Sequence, residues 1–213
     1  MTLVEEPLVK SRERVKSYGE VFTPRHMVDQ MLDLVADDLE LDPGFVDKTF
    51  LEPAAGDGNF LVAILHRKLR AIETRLEPEL WQRESLFALA SIYGIELLED
   101  NHAEAKASML EVFLDFHRGH GTACGPRSSL YRAAAFLIDT NIVRGNTLTC
   151  LDWRGEPIAF SWWNRVAEES DIVVREPFTL ASLRDDAGFD FTLHPRYAPC
   201  PIGHVHKELR NDG

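Results

Sequence analysis

Apolar residues recur along the chain in short blocks with two different spacings. Apolar residues that recur three or four positions apart predict amphipathic helices, whereas compact apolar runs bounded by turn residues predict buried strands. The predicted helices cover residues 24–41, 60–69, 78–90, 101–116 and 130–138, and the predicted strands cover 49–51, 91–96, 141–143 and 171–174. Strands that alternate with helices favour an α/β fold built on a doubly wound parallel sheet.

The pattern also predicts where elements begin and how the chain is divided. Thr23 is expected to cap the first long helix, with Pro24 at its first helical position. The aromatic stretch 160–163 is expected to be an irregular excursion before the fourth strand. Residues 1–18 form a polar lead-in, 19–180 the main domain and 181–213 a tail. The chain after the fourth strand is too short for the rest of a full-sized sheet, so the sheet is expected to be incomplete at its C-terminal end.

Composition narrows the class of protein. The 213 residues are 45% hydrophobic and 27% charged, which is ordinary for a soluble globular domain. No apolar run approaches the roughly 20 residues that a membrane span needs, and the N-terminus lacks a signal pattern. The three cysteines, Cys124, Cys150 and Cys200, are far apart in sequence. A reducing compartment is therefore expected, and the predicted location is cytoplasmic.

The net charge of -12 argues against a self-sufficient binder of duplex DNA, because such proteins usually present a basic face. Basic residues cluster only near the two ends of the chain: Lys10, Arg12, Arg14, Lys16, Arg25, Arg196, Lys207 and Arg210. Such a cluster is either a local nucleic-acid patch or an ordinary solvated surface. Contact with DNA is accordingly expected through a partner chain or domain, and the oligomeric state stays open.

One segment between a predicted strand and a predicted helix has the composition of a ligand-binding turn. It reads LEPAAGDGNFL over residues 51–61. Gly56 and Gly58 let the backbone pass close to a ligand, and Glu52 can accept a hydrogen bond from an ammonium group. The spacing differs from the dinucleotide fingerprint, and no lysine follows as in a phosphate-binding loop. The turn therefore suits a cationic nucleoside without phosphate, or else it is a tight turn that binds nothing.

The surroundings of this turn resemble a known family. Residues 19–24 (GEVFTP) and 52–60 resemble the first two cofactor motifs of adenine-specific DNA methyltransferases of restriction-modification type. Residues 93–96 (YGIE) resemble the strand end that holds the cofactor ribose, and 141–149 (NIVRGNTLT) resemble the segment beside its adenine. The resemblance covers roughly residues 19–149. It implies a Rossmann-like methyltransferase fold that depends on S-adenosyl-L-methionine.

The resemblance also implies a role for each matching residue. Phe22 and Thr23 would contact the methionine end of the cofactor, and Glu52 with Gly56 would line its amino-acid portion. Glu96 would accept hydrogen bonds from both ribose hydroxyls. Asn146 would lie near the adenine amino group, where the family more often has aspartate. The full set of predicted cofactor-binding residues is Phe22, Thr23, Glu52, Pro53, Gly56, Gly58, Phe60, Glu96 and Asn146.

The catalytic motif of the family is missing. Its members place Asn/Asp-Pro-Pro-Tyr/Phe after the fourth strand, where oxygens hold the target amine and the ring stacks on a flipped-out base. The nearest counterpart here is 175–178 (REPF). One register places Arg175, which has only donors, at the amine. The other makes Glu176 the acceptor and Phe178 the stacking ring, and these two are the catalytic candidates. The alternative is an ordinary turn or a disabled site.

Two weaker groupings lie further along the chain. Residues 194–197 (HPRY) are a second candidate for the amine-holding turn. Cys200, His204 and His206 would form a metal cluster only with a fourth ligand that the spacing does not supply, so no metal site is predicted. Three functions remain open. They are a DNA adenine methyltransferase, a catalytically silent cofactor-binding or interaction subunit, and a methyltransferase for RNA or a small amine.

Overall fold

The computed structural model describes residues 8–167, 170–183, 196–207 and 210–211. Its α-helices are α1 (Arg12–Tyr18), α2 (Arg25–Asp33), α3 (Asn59–Arg75), α4 (Trp81–Ala90), α5 (Glu99–Gly119) and α6 (Ser129–Asn141). A π-helical turn (Asp37–Leu41) follows α2, and 3₁₀ turns cover Pro78–Leu80, Leu180–Leu183 and Ile202–Lys207. All five predicted helical segments are confirmed as helical, although α2 ends at Asp33 and the π-turn completes its segment.

The central sheet contains β1 (Phe50–Glu52), β2 (Ile92–Glu96), β3 (Ile142–Asn146) and β4 (Leu151–Asp152), in the order β1-β2-β3-β4. The first three strands are parallel, and β4 pairs antiparallel with β3. The predicted α/β class with a parallel sheet is confirmed. β1 pairs only with β2 within the described residues, so it forms one edge of the sheet.

One face of the sheet carries the main core, which α3, α4, α5 and α6 cover with buried aliphatic side chains. Helix α3 packs directly on β2, because a Cβ added at Gly94 would lie 2.9 Å from Leu61 Cδ1. The buried Lys68 of α3 fixes the chain ahead of β1. Its side-chain nitrogen lies within hydrogen-bond distance, 2.7–2.9 Å, of the carbonyl oxygens of Phe45, Val46 and Lys48 and of the Ser91 hydroxyl oxygen. The entry points of β1 and β2 are therefore tied to the same helix.

A separate antiparallel sheet covers the other face. It consists of β5 (Ala159–Arg165), β6 (Ile172–Thr179) and β8 (Cys200–Pro201). Two predictions are wrong here: residues 160–163 form a regular strand, and the fourth strand lies in this sheet rather than in the parallel one. The reason is packing, since buried Phe160 and Phe178 join Tyr93 and Ile95 of β2 in one apolar cluster. A hairpin thus occupies the face that helices cover in a doubly wound fold.

The described parts of the lead-in and the tail pack onto the domain. Ile202 and Val205 belong to the main core, and β7 (Arg196–Tyr197) pairs with β9 (Arg210–Asn211). The capping prediction for Thr23 is wrong, because Pro24 occupies the N-cap position and no side chain caps α2. No helix in the described ranges is long and apolar enough to cross a membrane.

Candidate functional site

Three polar side chains mark the carboxyl ends of adjacent parallel strands. Glu52 ends β1, Glu96 ends β2 and Asn146 ends β3. The strands are in parallel register, with Glu52 opposite Gly94 and Glu96 opposite Arg144. Ligands of open α/β sheets bind outside this edge. The structure therefore brings together the three positions that the sequence assigns to one cofactor.

The glycine turn between β1 and α3 lies across this edge. The Ala55 amide donates to the Ile95 carbonyl at 2.9 Å, which ties the turn to β2. Gly56 and Gly58 have φ angles of +56° and +99°, in the left-handed region that favours glycine. A Cβ at Gly58 would lie 2.9 Å from Cα and Cβ of Ala105 in α5. Gly58 therefore lets α5 approach the turn, and a side chain there would meet α5 instead of filling an open pocket.

Glu96 holds the turn from the neighbouring strand. Its Oε2 accepts from the Gly56 amide at 2.7 Å, and its Oε1 accepts from the Leu98 amide at 2.8 Å. The Asn101 side-chain amide is 3.5 Å from the same Oε1. Since a carboxylate offers about four acceptor sites, roughly one remains, on Oε2. Both ribose hydroxyls can bind this carboxylate only if the Gly56 amide releases it.

Two further acidic side chains face the turn. Glu52 Oε1 accepts from the Ala54 amide at 3.0 Å, and burial raises the pKa of Glu52 despite that bond. Burial likewise raises the pKa of Asp57, with the charge of Glu104 contributing. Asp57 Oδ1 is buried without a hydrogen-bond partner in the described part of the chain. A buried carboxylate oxygen without a donor is costly, so these groups favour a ligand that brings donors or positive charge.

The remaining predicted cofactor residues differ in how they meet the site. The buried Phe22 ring covers the turn, because its Cδ1 and Cε1 would be 3.3 Å from a Cβ at Gly56. Thr23 follows it and is half-buried. The Pro53 carbonyl accepts from the Thr147 hydroxyl, which joins the turn to the end of β3. Phe60, in the first turn of α3, packs against the main core, so its ring is not part of the strand-end cluster.

The side-chain oxygen of Asn146 is already hydrogen-bonded within its own loop. Its Oδ1 accepts from the amides of Leu148 and Thr149 at 2.9 and 3.4 Å. This turn fixes the side chain at the end of β3 and uses the oxygen that was predicted to meet the adenine amino group. Leu148, at the tip of the same loop, is 86% exposed. The geometry of the site therefore rests chiefly on Phe22, Glu52, Gly56 and Glu96.

A comparison of the sequence with protein-family models identifies the family of this chain. The model of the MmeI DNA-methyltransferase domain matches residues 36–179, about two thirds of the chain. The chain belongs to this family. Searches of curated proteins and of solved structures gave no match. The MmeI match supports a methyltransferase of restriction-modification type, as the resemblance implied. The matched range contains Glu52, Glu96 and Asn146, whereas Phe22 and Thr23 lie before its first residue.

The catalytic candidates of this MmeI-type domain lie inside β6 instead of in a loop after a strand. Phe178 is 3% exposed and stacks on Trp162 with ring centroids 4.7 Å apart. It also contacts Tyr93, which is three residues before Glu96 and therefore about 10 Å from that strand end. Glu176 accepts a hydrogen bond from the Asn164 amide, and Arg175 donates to Ser161. This placement does not fit the base-stacking role predicted for Phe178, because its faces are already covered.

Acidic side chains neutralise part of the basic cluster near the N-terminus. Lys10 and Arg14, counted in the basic cluster, form ion pairs with Glu104, Asp100 and Glu20 of the domain itself. His194 and Pro195, of the second catalytic candidate, lie outside the described residues. Among the described side chains, no three His, Cys, Asp or Glu residues are grouped to hold a metal ion.

Sequence reasoning assigned no role to Asp57 of the turn, and it also missed Asn101, which contacts the site. Asn101 is 1% exposed and begins the buried stripe of α5, which continues every four residues through Ala105, Met109, Phe113 and His117. A polar residue in line with an apolar stripe is the signal that would have identified it.

Proposed function

We propose that this domain is a Rossmann-like methyltransferase domain that binds S-adenosylmethionine and belongs to the adenine-specific branch of restriction-modification methyltransferases. The observation that carries the proposal is the pair of strand-end carboxylates, Glu52 and Glu96, on either side of a turn with two left-handed glycines. The family match supports methyl transfer, and the sequence resemblance supports adenine as the target.

The chemistry of the site fits this cofactor. When bound, S-adenosylmethionine supplies a methyl group on a positively charged sulfur. The carboxylate of Glu52 has one oxygen bonded to Ala54 and another that can accept from the ammonium group. Glu96 Oε2 can accept one ribose hydroxyl beside the Gly56 amide. The Phe22 ring lies on the turn at Gly56 and gives the site an apolar wall.

The first experiment measures binding of S-adenosylmethionine and of S-adenosylhomocysteine by titration calorimetry. We expect Glu52→Gln to weaken binding by about 10- to 100-fold, which corresponds to about 1.5–3 kcal/mol for a hydrogen bond to a charged group. Its thermal stability should stay close to that of the wild type. Glu79→Gln, an exposed position before α4, serves as the matched control and should bind normally.

Glu96→Gln gives a different signature. Binding should weaken, and the melting temperature should also fall, because the Gly56 and Leu98 amides lose a charged acceptor. If the folded wild-type protein binds neither compound, the cofactor assignment is wrong. If Glu52→Gln binds as tightly as the wild type, the end of β1 does not hold the ammonium group.

A second candidate function is a catalytically silent cofactor-binding subunit. The burial of Phe178 and the bond between Glu176 and Asn164 favour it, because neither side chain meets the site at the strand ends. A partner chain or domain would then supply the amine acceptor and the DNA-binding surface. In this second function the chain would still bind the cofactor, but it would not transfer the methyl group by itself.

Transfer of a labelled methyl group to unmethylated genomic DNA tests this second candidate. The isolated chain should bind the cofactor and leave duplex DNA unmethylated. Robust methylation that disappears in Glu176→Ala would overturn the silent-subunit function. Nucleoside analysis of the product would then show whether the methyl group is on adenine, and methylated cytosine would contradict the proposed specificity.

A further inference from the structure

A segment ahead of the family match, residues 8–22, packs on α5 and reaches the glycine turn with its last residue; we call it the strap. Helix α1 forms its middle, and the Phe22 amide closes it by donating to the Leu8 carbonyl at 2.8 Å. Arg14 bonds to Glu20 within the strap and to Asp100 in the first turn of α5. The Phe22 ring at its end lies on Gly56. The strap is thus held to α5 by charged groups and places Phe22 on the glycine turn.

Asn101 of α5 joins the strap to the strand-end carboxylate. Its Oδ1 accepts from the Lys10 ammonium at 2.7 Å. Its Nδ2 donates to Glu20 Oε1 at 2.6 Å and is 3.5 Å from Glu96 Oε1. Because the amide has two hydrogens, each one is directed at a different carboxylate. One side chain therefore contacts both ends of the strap and the proposed ribose acceptor.

The charges around position 101 require a side-chain amide there, because it must accept from Lys10 and donate to carboxylates. Lys10 is also bonded to Glu104 at 2.7 Å, and Glu20 is the less exposed of the two acids of the strap, with 7% of its side chain accessible. Burial would raise the pKa of Glu20, but the bonds from Arg14 and Asn101 outweigh burial and lower that pKa. A carboxylate at position 101 would instead face two carboxylates and would have no hydrogen to donate to either.

We propose, building on the proposed function, that Asn101 is a positioning residue that couples docking of the strap to binding of the cofactor. It orients Glu96 at the end of β2 and clamps Lys10 and Glu20, so that Phe22 stays on the glycine turn. A ligand that requires ordered Glu96 and Phe22 stabilises the docked strap, and by reciprocity the docked strap raises the affinity for the ligand.

The test combines limited trypsin digestion with calorimetry, using S-adenosylhomocysteine as the ligand. Trypsin cuts after Lys10, Arg12, Arg14 and Lys16, so mass spectrometry of the fragments reports how often the strap detaches. In the wild type, ligand should slow these cuts severalfold, and 0.5 M salt should speed them because exposed ion pairs are screened. In Asn101→Leu, the strap should be cut rapidly with or without ligand, and the affinity should fall about tenfold.

Two further variants complete the design. Glu20→Gln lies on the strap and leaves α5 intact, so it should speed cleavage even if Asn101→Leu folds poorly. Glu111→Gln, on the exposed face of α5, should match the wild type in both measurements. An affinity loss without faster strap cleavage, or faster cleavage at unchanged affinity, would overturn the coupling. If the wild type binds no ligand, the proposed function and the coupling fail together. Cleavage without ligand then still shows whether Asn101 clamps the strap.

Discussion

Protonation of His117 should destabilise the fold in a defined pH range. The side chain is 1% exposed, and its Nε2 is 3.0 Å from the Ser85 hydroxyl oxygen. The same hydroxyl oxygen lies 3.1 Å from the Gln82 carbonyl oxygen, and when it donates its single hydrogen there, Nε2–H donates to Ser85. The phenyl rings of Phe113 and Phe116 pack beside the imidazole, with ring centroids 4.6 and 5.1 Å away. A second proton on the buried imidazole would therefore place a positive charge beside these apolar rings.

The size of the effect follows from linkage. Burial, with the charge of His120 contributing, lowers the pKa of His117 from 6.5 to about 4. Between these values the unfolded chain binds a proton that the folded chain does not, so stability is lost as the pH falls. From pH 8 to pH 4.5 this one group should cost about 2.5 kcal/mol, at about 1.4 kcal/mol per pKa unit. Below about pH 4 the folded protein is protonated as well, and the loss stops growing.

Urea unfolding followed by circular dichroism at several pH values measures this loss. His117→Gln cannot gain the proton. When the pH is lowered from 8 to 4.5, the wild type should therefore lose about 2.5 kcal/mol more unfolding free energy than the variant. Carboxylates titrate equally in both proteins and cancel in the difference. His26→Gln, at an exposed position, should follow the wild type at every pH. Parallel stability curves for wild type and His117→Gln would refute the reasoning.

Two further predictions concern the turn and the buried lysine. Gly58→Ala should destabilise the fold by about 2–4 kcal/mol, because the new Cβ meets Ala105 in addition to the strain of a φ of +99°. Gly155→Ala, with a φ of +85° and open space, should show the strain alone, and equal losses of melting temperature would contradict the packing argument. Burial lowers the pKa of Lys68 from 10.5 to about 7, so the unfolded chain binds more protons between these values. Wild-type stability in urea should therefore rise from pH 7 toward pH 10, whereas in Lys68→Met this rise should disappear.

The sequence predicted the helical layer well because its periodicity is local. Helices such as α5 and α3 carry apolar residues on one face, and each helix buries that face against the same sheet. The glycine turn was also predictable, since a strand, two glycines and a helix leave little choice of backbone conformation. Glu52 was predicted from the turn itself, whereas Glu96 was predicted from the resemblance of residues 93–96 to the ribose-binding strand end of the family.

The second face of the sheet was not predictable from local patterns. Residues 171–174 read equally as a parallel or an antiparallel strand, because an apolar run does not encode its partner. The antiparallel choice depends on Phe160, Phe178 and Tyr93, which are far apart in sequence and pack together. The place of Asn101 in the apolar stripe of α5 marks it as unusual, but its partners Lys10 and Glu20 could not be predicted, because contacts between residues distant in sequence leave no local pattern.

The edge position of β1 has a consequence for how the protein behaves at high concentration. An unpaired strand edge is a template on which another chain can add a strand and begin to aggregate. β1 is only three residues long, and Pro53, directly after it, has no amide hydrogen to donate. A foreign strand would gain only one or two main-chain hydrogen bonds there before reaching the proline. The residues that end β1 at the site thus also protect the sheet from edge-to-edge association, and the net charge of -12 adds repulsion between copies.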